Sequence, residues 1–393
     1  MKQFLEGSHA VAEIVKRCKP GVVSAYPITP QTHIVEDLAQ MVADQELNAQ
    51  FVNVESEHSA ASVVLGAEAA GVRSYTATSS QGLLLMAEVV FNIGGMRLPL
   101  VMTCANRAIS APINIWNDQQ DVMAVRDAGW ILLFAENNQE AVDLHLKAYR
   151  IAEDKRVMLP VMVNMDGFIL THGMETVDMP SQEEVDQFLP PYETDYKLDV
   201  DNPKTMGFLG DPDYYLEMRY MVQKTQQESL AVIMEVAQAF GKQFNRGAEG
   251  LVEGYKLEDA EYVFVAMGSV CGTIKDAIDE LRQQGKKVGL LKVIAYRPFP
   301  VEAIVSALSK AKKVAVVDKS ISLGGFGPLY TDLKTSVGSL KEKAPDVSGF
   351  VLGLGGRDIK KASIFEVYEK LSGKQVDCEF IGLKQELLEE KNG

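Results

Sequence analysis

The chain has 393 residues, of which 47% are hydrophobic, and 54 Asp and Glu against 39 Lys and Arg give a formal net charge of -15 at pH 7. This length predicts two or three domains with apolar cores of their own. The acidic balance argues against nucleic acid as a partner, because no basic stripe is available to displace counterions from phosphates.

The first half of the chain alternates apolar runs typical of buried parallel strands with helical patterns. The predicted strands are Val22–Tyr26, Phe51–Val54, Ser74–Ala77, Leu98–Cys104, Ile131–Phe134 and Leu159–Val163. The predicted helices are Ser8–Arg17, Thr32–Asp44, Ser56–Ala70, Gln81–Asn92 and Gln139–Glu153, with Ser56 as an N-cap. The repeated βα pattern predicts an α/β fold, in which helices cover both faces of a parallel sheet.

The helical and strand periodicities fail over residues 176–220, where prolines and scattered charges predict an extended arm. A helix is predicted at Ser229–Phe240, and the glycines of Asn245–Gly254 predict a linker. The sequence therefore predicts a first domain over residues 1–245 and a second, smaller α/β domain over residues 255–393. The strands predicted in the second domain are Tyr262–Ala266, Val288–Val293, Val314–Val317 and Gly349–Leu352, and the helices are Thr273–Gln284, Val301–Leu308, Leu329–Val337 and Ile364–Leu371.

The segment Tyr26-Pro27-Ile28-Thr29-Pro30 stands where the first predicted strand gives way to a helix. Each proline fixes its own φ and biases the preceding residue away from helical geometry, so Thr29 is expected on a stiff turn. In open α/β sheets, ligands bind at the carboxyl ends of the strands. The pattern is equally compatible with an ordinary rigid connection between a strand and a helix.

Glu57 opens the helix that follows the second predicted strand. A carboxylate in the first turn of a helix is stabilised by the positive helix end, and this alone accounts for many such glutamates. The functional interpretation is an acid placed to hydrogen-bond a nitrogen of a ligand and to transfer a proton.

Arg107 directly follows the predicted strand Leu98–Cys104, which places it at the same sheet edge as Thr29 and Glu57. The guanidinium group of an arginine can bind a carboxylate of a ligand through two hydrogen bonds. The alternative is that Arg107 forms a structural ion pair within the protein. The following segment, Ala111–Asp121, is rich in amides and carboxylates around Trp116, and it predicts a loop that orders itself and closes over a ligand.

The cysteines and histidines show no spacing suited to a metal or an iron–sulfur cluster, so the sequence predicts no metal site. No apolar run approaches the ~20 residues of a membrane span, and Glu6 interrupts the first residues before a signal peptide could form. A cytoplasmic protein with reduced thiols, and without a membrane partner, is expected. The four cysteines are Cys18, Cys104, Cys271 and Cys378, and the five histidines are His9, His33, His58, His145 and His172.

Taken together, Tyr26–Pro30, Glu57 and Asn106–Asp121 resemble the α subunit of the multi-subunit 2-oxoacid:ferredoxin oxidoreductases, most closely the pyruvate enzyme. The resemblance extends over essentially the whole chain. It includes Met267-Gly268-Ser269, Tyr296-Arg297-Pro298-Phe299-Pro300 and Gly324-Gly325-Phe326-Gly327.

The resemblance implies a pyrimidine-type domain of the thiamine-diphosphate-binding fold, followed by a transketolase C-terminal-like domain. It implies that Glu57 bonds N1′ of the aminopyrimidine and thereby promotes loss of the proton at C2 of the thiazolium ring. Tyr26 and Pro27 are implied to contact the cofactor. Thr29 and Arg107 are implied to hold the carboxylate and carbonyl of the 2-oxoacid.

The chain lacks the Gly-Asp-Gly motif with which diphosphate-binding domains anchor magnesium, and its nearest segment is Gly210-Asp211-Pro212. Cluster-binding cysteines are also missing. The resemblance therefore implies half of an active site, with the diphosphate, Mg2+ and [4Fe-4S] clusters held by partner chains. These partners are a β subunit, a γ subunit and a ferredoxin-like δ subunit.

The activity implied is the reversible, coenzyme-A-dependent oxidative decarboxylation of pyruvate to acetyl-CoA and CO2, with the electrons passed to ferredoxin. One alternative is an α subunit specific for a branched-chain 2-oxoacid such as 2-oxoisovalerate. Two alternatives from other classes are a non-catalytic scaffold and a transketolase-like subunit without redox chemistry.

Overall fold

The apolar runs of the first half form strands, and the amphipathic segments between them form helices. The computed structural model describes residues 2–389. The strands are β1 (Lys2–Glu6), β2 (Val22–Val23), β3 (Gln50–Phe51), β4 (Ser74–Thr78), β5 (Val101–Asn106), β6 (Ile131–Phe134), β7 (Val161–Asp166) and β8 (Met174–Asp178). The helices are α1 (Gly7–Cys18), α2 (Thr32–Ala43), α3 (Glu57–Ala69), α4 (Ser80–Leu85), α5 (Ala87–Met96), α6 (Gln120–Ala124), α7 (Asn138–Ala152), α8 (Gln182–Phe188) and α9 (Tyr215–Phe244).

The second half continues the alternation of strands and helices. Its strands are β9 (Val252–Tyr255), β10 (Tyr262–Ala266), β11 (Val288–Val293), β12 (Ala295–Arg297), β13 (Lys313–Asp318), β14 (Asp346–Val351) and β15 (Glu379–Phe380). Its helices are α10 (Val270–Gln283), α11 (Val301–Leu308), α12 (Pro328–Val337), α13 (Lys361–Ser372) and α14 (Glu386–Glu389).

The first structural unit comprises the chain up to Val252 together with Ile294–Pro300. Its main sheet has the strand order β12-β6-β7-β5-β4-β2-β3. Every neighbouring pair is parallel except β12 and β6, which are antiparallel. The α/β class with a parallel sheet is therefore confirmed.

The core of the first unit lies between this sheet and its helices. Strands β4, β5 and β7 are buried at every position, as expected for parallel strands covered on both faces. Helix α1 packs against α2 and α7. Each fully buried large apolar side chain stabilises the fold by about 1.5–3 kcal/mol, and the largest of them include Trp130 and Tyr149.

The arm predicted over residues 176–220 is partly regular. It contains α8, with a capping box between Ser181 and Glu184, and β8 pairs antiparallel with β1. Helix α9 begins at Tyr215, well before the predicted Ser229. Its first turns expose apolar side chains such as Leu216, which is 73% exposed, so no amphipathic stripe marks them in the sequence.

The second unit comprises Glu253–Val293 and the chain from Val301. Its sheet has the order β15-β14-β13-β10-β11-β9, with parallel pairing along the series from β15 to β11. Residues of α10 and α13 form its core together with this sheet. The predicted linker is wrong in part, because β9 begins inside it at Val252.

One segment assigned to the second domain by the sequence belongs to the first unit. Ala295–Arg297 forms β12, which joins the first sheet beside β6. The sequence could not reveal this return, because strand pairing depends on contacts between distant parts of the chain. Within residues 2–389, none of the helices combines the length and apolar character required to cross a bilayer.

Candidate active site

The candidate site lies at the carboxyl edge of the first sheet. Glu57 follows β3, Thr29 follows β2, Thr78 ends β4 and Arg107 follows β5. These four strands are neighbours and run parallel, so the residues after them share one edge. This edge is where ligands bind in open α/β sheets.

Thr29 lies on a tight turn that is fastened to the sheet. The Gln31 backbone N–H donates to the Ile28 carbonyl at 2.8 Å, and the Thr29–Pro30 peptide is cis. The fully buried Gln31 side chain donates from Nε2 to the Ala77 carbonyl at 2.6 Å and accepts from the Ile28 N–H at 3.2 Å. The turn is thus held rigid while Thr29 itself is exposed.

Arg107 contacts this turn directly. Its Nη1 donates to the Thr29 carbonyl at 2.9 Å, and its Nε donates to the Asn114 carbonyl at 2.9 Å. Burial lowers the pKa of Arg107, but a guanidinium stays charged at neutral pH. Within residues 2–389 the side chain makes no ion pair and Nη2 makes no hydrogen bond, which argues against a purely structural ion pair.

Glu57 is the first residue of α3, and Ser56 caps this helix by accepting a hydrogen bond from the Ser59 N–H at 3.2 Å. The Glu57 side chain is only 7% exposed, yet its carboxylate makes no hydrogen bond to any residue that the structure describes. Buried polar groups in proteins are nearly always hydrogen-bonded. Neither Glu57 oxygen is among the fully enclosed atoms that lack a partner, so the carboxylate is accessible to a hydrogen-bond donor from outside this chain.

Two further features surround the Glu57 carboxylate. The Thr78 hydroxyl is buried without a hydrogen-bond partner among the described residues. A Cβ added at Gly82 would lie 2.8 Å from Glu57 Oε1 and 2.5 Å from Thr78 Oγ1. The lack of a side chain at Gly82 thus keeps the space beside Glu57 and Thr78 open.

Asp121 connects the ends of β4 and β5. Its Oδ2 accepts from the Ser80 N–H at 3.1 Å and from the Arg107 N–H at 2.9 Å. Its Oδ1 accepts from Asn106 Nδ2 at 3.1 Å and from the Val122 N–H at 2.8 Å. Burial raises the pKa of Asp121 to about 6, although these hydrogen bonds act in the opposite direction.

The loop after Arg107 is ordered by its own backbone. The Ala108 N–H donates to the Trp116 carbonyl at 3.0 Å, and the Trp116 N–H donates to Asn114 Oδ1 at 2.7 Å. Its apolar tip is exposed, with Ile113 82% and Trp116 52% accessible. The predicted ordering of this segment agrees with these contacts, and its closure over a ligand stays a prediction.

The structure brings the predicted residues together in part. Thr29 and Arg107 touch, and Glu57 lies at the same edge. Tyr26 is 38% exposed and Pro27 is also exposed, so both are accessible from outside the chain.

Sequence reasoning did not single out four residues of this edge: Gln31, Thr78, Ser80 and Gly82. Gln31 follows the second proline of the turn directly, and the other three lie in the Thr-Ser-Ser-Gln-Gly run at the end of a predicted strand. Small and hydroxyl-bearing residues after a buried strand are a signal that would have found them.

One group of possible metal ligands was not found by the sequence analysis, and its prediction that the chain has no metal site stays a prediction. Glu6, His33 and His172 lie far apart in the chain, so their spacing indicates no metal site. In the structure their ligand atoms all lie within 4.8 Å of one another. Tertiary contacts bring these three residues together, so their spacing in the sequence does not reveal the cluster.

The comparisons with known proteins cover both structural units. Residues 13–238 match the model for the thiamine-diphosphate-binding domain of pyruvate flavodoxin/ferredoxin oxidoreductase. Residues 260–364 match the pyruvate:ferredoxin oxidoreductase core domain II.

Pyruvate synthase subunit PorA of Methanothermobacter thermautotrophicus is 52% identical over 384 residues, covering 98% of this chain and 99% of the relative. Ketoisovalerate oxidoreductase subunit VorA of Pyrococcus horikoshii is 42% identical over 372 residues, or 94% of each chain.

A solved structure of similar fold is 2-oxoglutarate:ferredoxin oxidoreductase from Magnetococcus marinus, with 2-oxoglutarate, coenzyme A and succinyl-CoA bound. It has a TM-score of 0.71 and 20% sequence identity, covering 95% of this chain and 65% of that chain. The match of the first family model to more than half of the chain, and the identity with full-length relatives, establish the relationship. The chain belongs to the pyruvate flavodoxin/ferredoxin oxidoreductase family, and its first unit contains the thiamine-diphosphate-binding domain.

Proposed function

We propose that this chain is the α subunit of a pyruvate:ferredoxin oxidoreductase and binds the pyrimidine half of thiamine diphosphate beside the pyruvate site. The observation that carries the proposal is Glu57, a residue only 7% exposed that opens a helix at the ligand-binding edge and whose carboxylate makes no hydrogen bond within residues 2–389. The identity with pyruvate synthase subunits supports pyruvate as the substrate.

The residues around Glu57 fit the aminopyrimidine. Its carboxyl group would bond ring atom N1′, so that a proton held at this atom favours the imino form of the exocyclic nitrogen. The Thr78 hydroxyl has no hydrogen-bond partner in the described part of the chain, and the open space at Gly82 leaves room for a flat ring. Bound thiamine diphosphate supplies the nucleophilic carbon that adds to the 2-oxo group and takes up the electrons released with CO2.

Arg107 and Thr29 would bind the substrate. The two hydrogen bonds of Arg107 to backbone carbonyls fix its guanidinium plane and leave the N–H groups of Nη2 to bind a carboxylate. The rigid turn would present the Thr29 hydroxyl to the same molecule. Tyr26 and Pro27, which are exposed at the start of this turn, would contact the cofactor from the side.

The remaining parts of the reaction are assigned to partner chains. A β subunit would hold the diphosphate, Mg2+ and a [4Fe-4S] cluster, while γ and ferredoxin-like δ subunits complete the complex. Pyruvate, coenzyme A and two oxidised ferredoxins would give acetyl-CoA, CO2, two reduced ferredoxins and a proton. The subunit names of the relatives support a multi-subunit enzyme.

The alternatives are less well supported. A branched-chain 2-oxoacid as substrate is disfavoured because the ketoisovalerate relative is less similar than the pyruvate synthase relative. A scaffold would not need an unpaired acid at the sheet edge. A transketolase-like subunit without redox chemistry conflicts with the membership of this oxidoreductase family.

The test is Glu57→Gln in the reconstituted complex. Losing the acid should lower kcat for pyruvate-dependent, CoA-dependent reduction of a low-potential dye by roughly 10²–10⁴-fold, while size-exclusion chromatography shows an intact complex. Glu55→Gln is the matched control, because Glu55 lies two residues away and is exposed. Wild-type activity in Glu57→Gln would remove Glu57 from the mechanism.

A further inference from the structure

A cluster of two histidines and one glutamate lies outside the candidate active site. Glu6 ends β1, His33 is the second residue of α2, and His172 lies in the turn before β8. A backbone hydrogen bond joins the Glu6 and His172 segments, because the Gly7 N–H donates to the Gly173 carbonyl at 3.1 Å. His33 Nδ1 lies 2.6 Å from Glu6 Oε1, and the two imidazole rings lie 4.8 Å apart.

The chemistry of this donor set suits a metal ion. Two imidazole nitrogens and one carboxylate are the ligands of many three-residue Zn2+ sites, in which a water takes the fourth position. The three ligand atoms lie within 4.8 Å of one another, against about 3.4 Å between ligands placed tetrahedrally at Zn2+ distances. Both histidines are exposed, so small side-chain rotations would close this difference.

The second histidine is already oriented for binding. His172 Nδ1 is hydrogen-bonded to the hydroxyl of the buried Thr171 at 2.8 Å. Its Nε2 has no hydrogen bond within residues 2–389 and is left to bind the ion. Metal-binding histidines are typically oriented by such a contact at their other nitrogen.

A cavity of about 450 Å³ lies beside the cluster and is lined by Glu6 and His33. Glu36 and Asp37 also line it, so the surroundings of the cluster are acidic. Negative charge along a concave surface raises the local concentration of cations. The cavity therefore gives a divalent ion both access and attraction.

We propose that Glu6, His33 and His172 form a binding site for one divalent transition-metal ion of the Zn2+ type. No residue of the candidate active site belongs to this ligand set.

The site also has a defined connection to the loop after β5. The His172 ring lies 4.8 Å from the Phe168 ring, and Phe168 lies 4.7 Å from the half-exposed Trp116. A metal bound to His172 would fix this stack of rings. Metal binding should therefore change the fluorescence of Trp116.

The experiment is a calorimetric titration of the full chain, freed of metal by a chelator, with Zn2+. One ion per chain should bind, and His33→Ala and His172→Ala should each weaken binding by at least roughly tenfold, with unchanged circular dichroism. Glu6→Gln, which keeps a hydrogen-bond acceptor, should do the same. The Zn2+-dependent fluorescence change should disappear in His172→Ala.

Two histidine variants serve as controls. His58→Ala removes an exposed imidazole elsewhere on the chain. His9→Ala removes an imidazole that lines the same cavity as Glu6 and His33, and whose Nδ1 lies 3.1 Å from Asp37 Oδ2. Both should bind Zn2+ like the wild type. Absence of binding in the wild type, equal affinity in all variants, or loss in His9→Ala alone would overturn the proposal. None of these measurements requires enzymatic activity, so their outcome does not depend on whether the proposed function is correct.

Discussion

Gly82 matters for the candidate site because a side chain at this position would press on the Glu57 carboxylate. A Cβ at Gly82 would approach Thr78 Oγ1 to 2.5 Å, Glu57 Oε1 to 2.8 Å and Glu57 Cγ to 2.9 Å, so the Glu57 side chain would have to shift. We expect Gly82→Ala to fold normally and to lose about tenfold or more in kcat/KM, because the displaced acid no longer meets the pyrimidine. Steady-state kinetics and thermal unfolding of the complex measure the two effects.

The control for Gly82→Ala is Gly95→Ala. Gly95 lies in the nearby helix α5, and a Cβ there would meet no atom within 4 Å. This variant should keep full activity and gain slight helix stability. Equal kinetics in the two variants would show that Gly82 does not position Glu57.

Arg107 is expected to require its forked guanidinium as well as its charge. Arg107→Lys should raise KM for pyruvate at least about tenfold with a smaller change in kcat, because an ammonium group cannot hold both backbone carbonyls and a carboxylate in fixed geometry. Arg126→Lys is the matched control, since Arg126 donates to the Met123 carbonyl and forms a long ion pair with Asp127 at 3.9 Å. An unchanged KM in Arg107→Lys would place the carboxylate site elsewhere.

Strand β5 and helix α7 are joined by a buried histidine. His145 donates from Nδ1 to the Ala141 carbonyl at 2.6 Å, and its Nε2 accepts from the Thr103 hydroxyl at 2.5 Å. Thr103 in turn accepts from the Tyr75 hydroxyl at 2.6 Å. Burial lowers the pKa of His145 from 6.5 to about 4.

This pKa predicts how the stability of the first unit depends on pH. Between pH 6.5 and about 4 the unfolded chain binds a proton at His145 that the folded chain does not, so acidification favours unfolding. The stability present at pH 7 should fall by about 3 kcal/mol across this window through His145. Urea unfolding at several pH values, followed by the fluorescence of Trp116 and Trp130, reports this unit because both tryptophans lie in it.

His145→Gln should reduce this pH dependence, since glutamine does not titrate. The exposed His58 provides the control, and His58→Gln should keep the wild-type slope. If both variants show the same slope as the wild type, His145 does not carry the effect.

For the molecule as a whole, the chain is expected to be inactive alone. It lacks the Gly-Asp-Gly magnesium motif, and its four cysteines are free and scattered, three of them buried. The isolated chain should reduce no dye with pyruvate and CoA, and addition of the partner subunits should restore the reaction. Dye reduction by the chain alone would contradict the division of the active site.

The exposed apolar residues of the arm are consistent with this dependence. Val200 and Leu209 are each 95% exposed, and Tyr214 is 61% exposed. Exposed apolar side chains that a partner covers would be shielded in the complex, and contiguous apolar surface on a folded protein marks sites of interaction. Burial of this arm by a partner subunit should slow its cleavage by a protease relative to the isolated chain.

Much of the local structure could be predicted, because it depends on neighbouring residues. Helix α3 begins where Ser56 predicts it, and β6, β10, β11 and α11 match the predicted bounds. The predicted family and fold class are also confirmed. Apolar periodicity and capping act over a few residues, so the printed sequence contains them in full.

The sequence by itself determined most strands of the two parallel sheets, many of the helices between them, and the placement of Thr29, Glu57 and Arg107 after strands. Only the tertiary structure decided that Arg107 holds the Thr29 carbonyl, that β12 returns to the first sheet and that no described residue hydrogen-bonds the Glu57 carboxylate. The reason is physical: backbone preferences are short-range, whereas burial and hydrogen-bond partners depend on which distant segments come together.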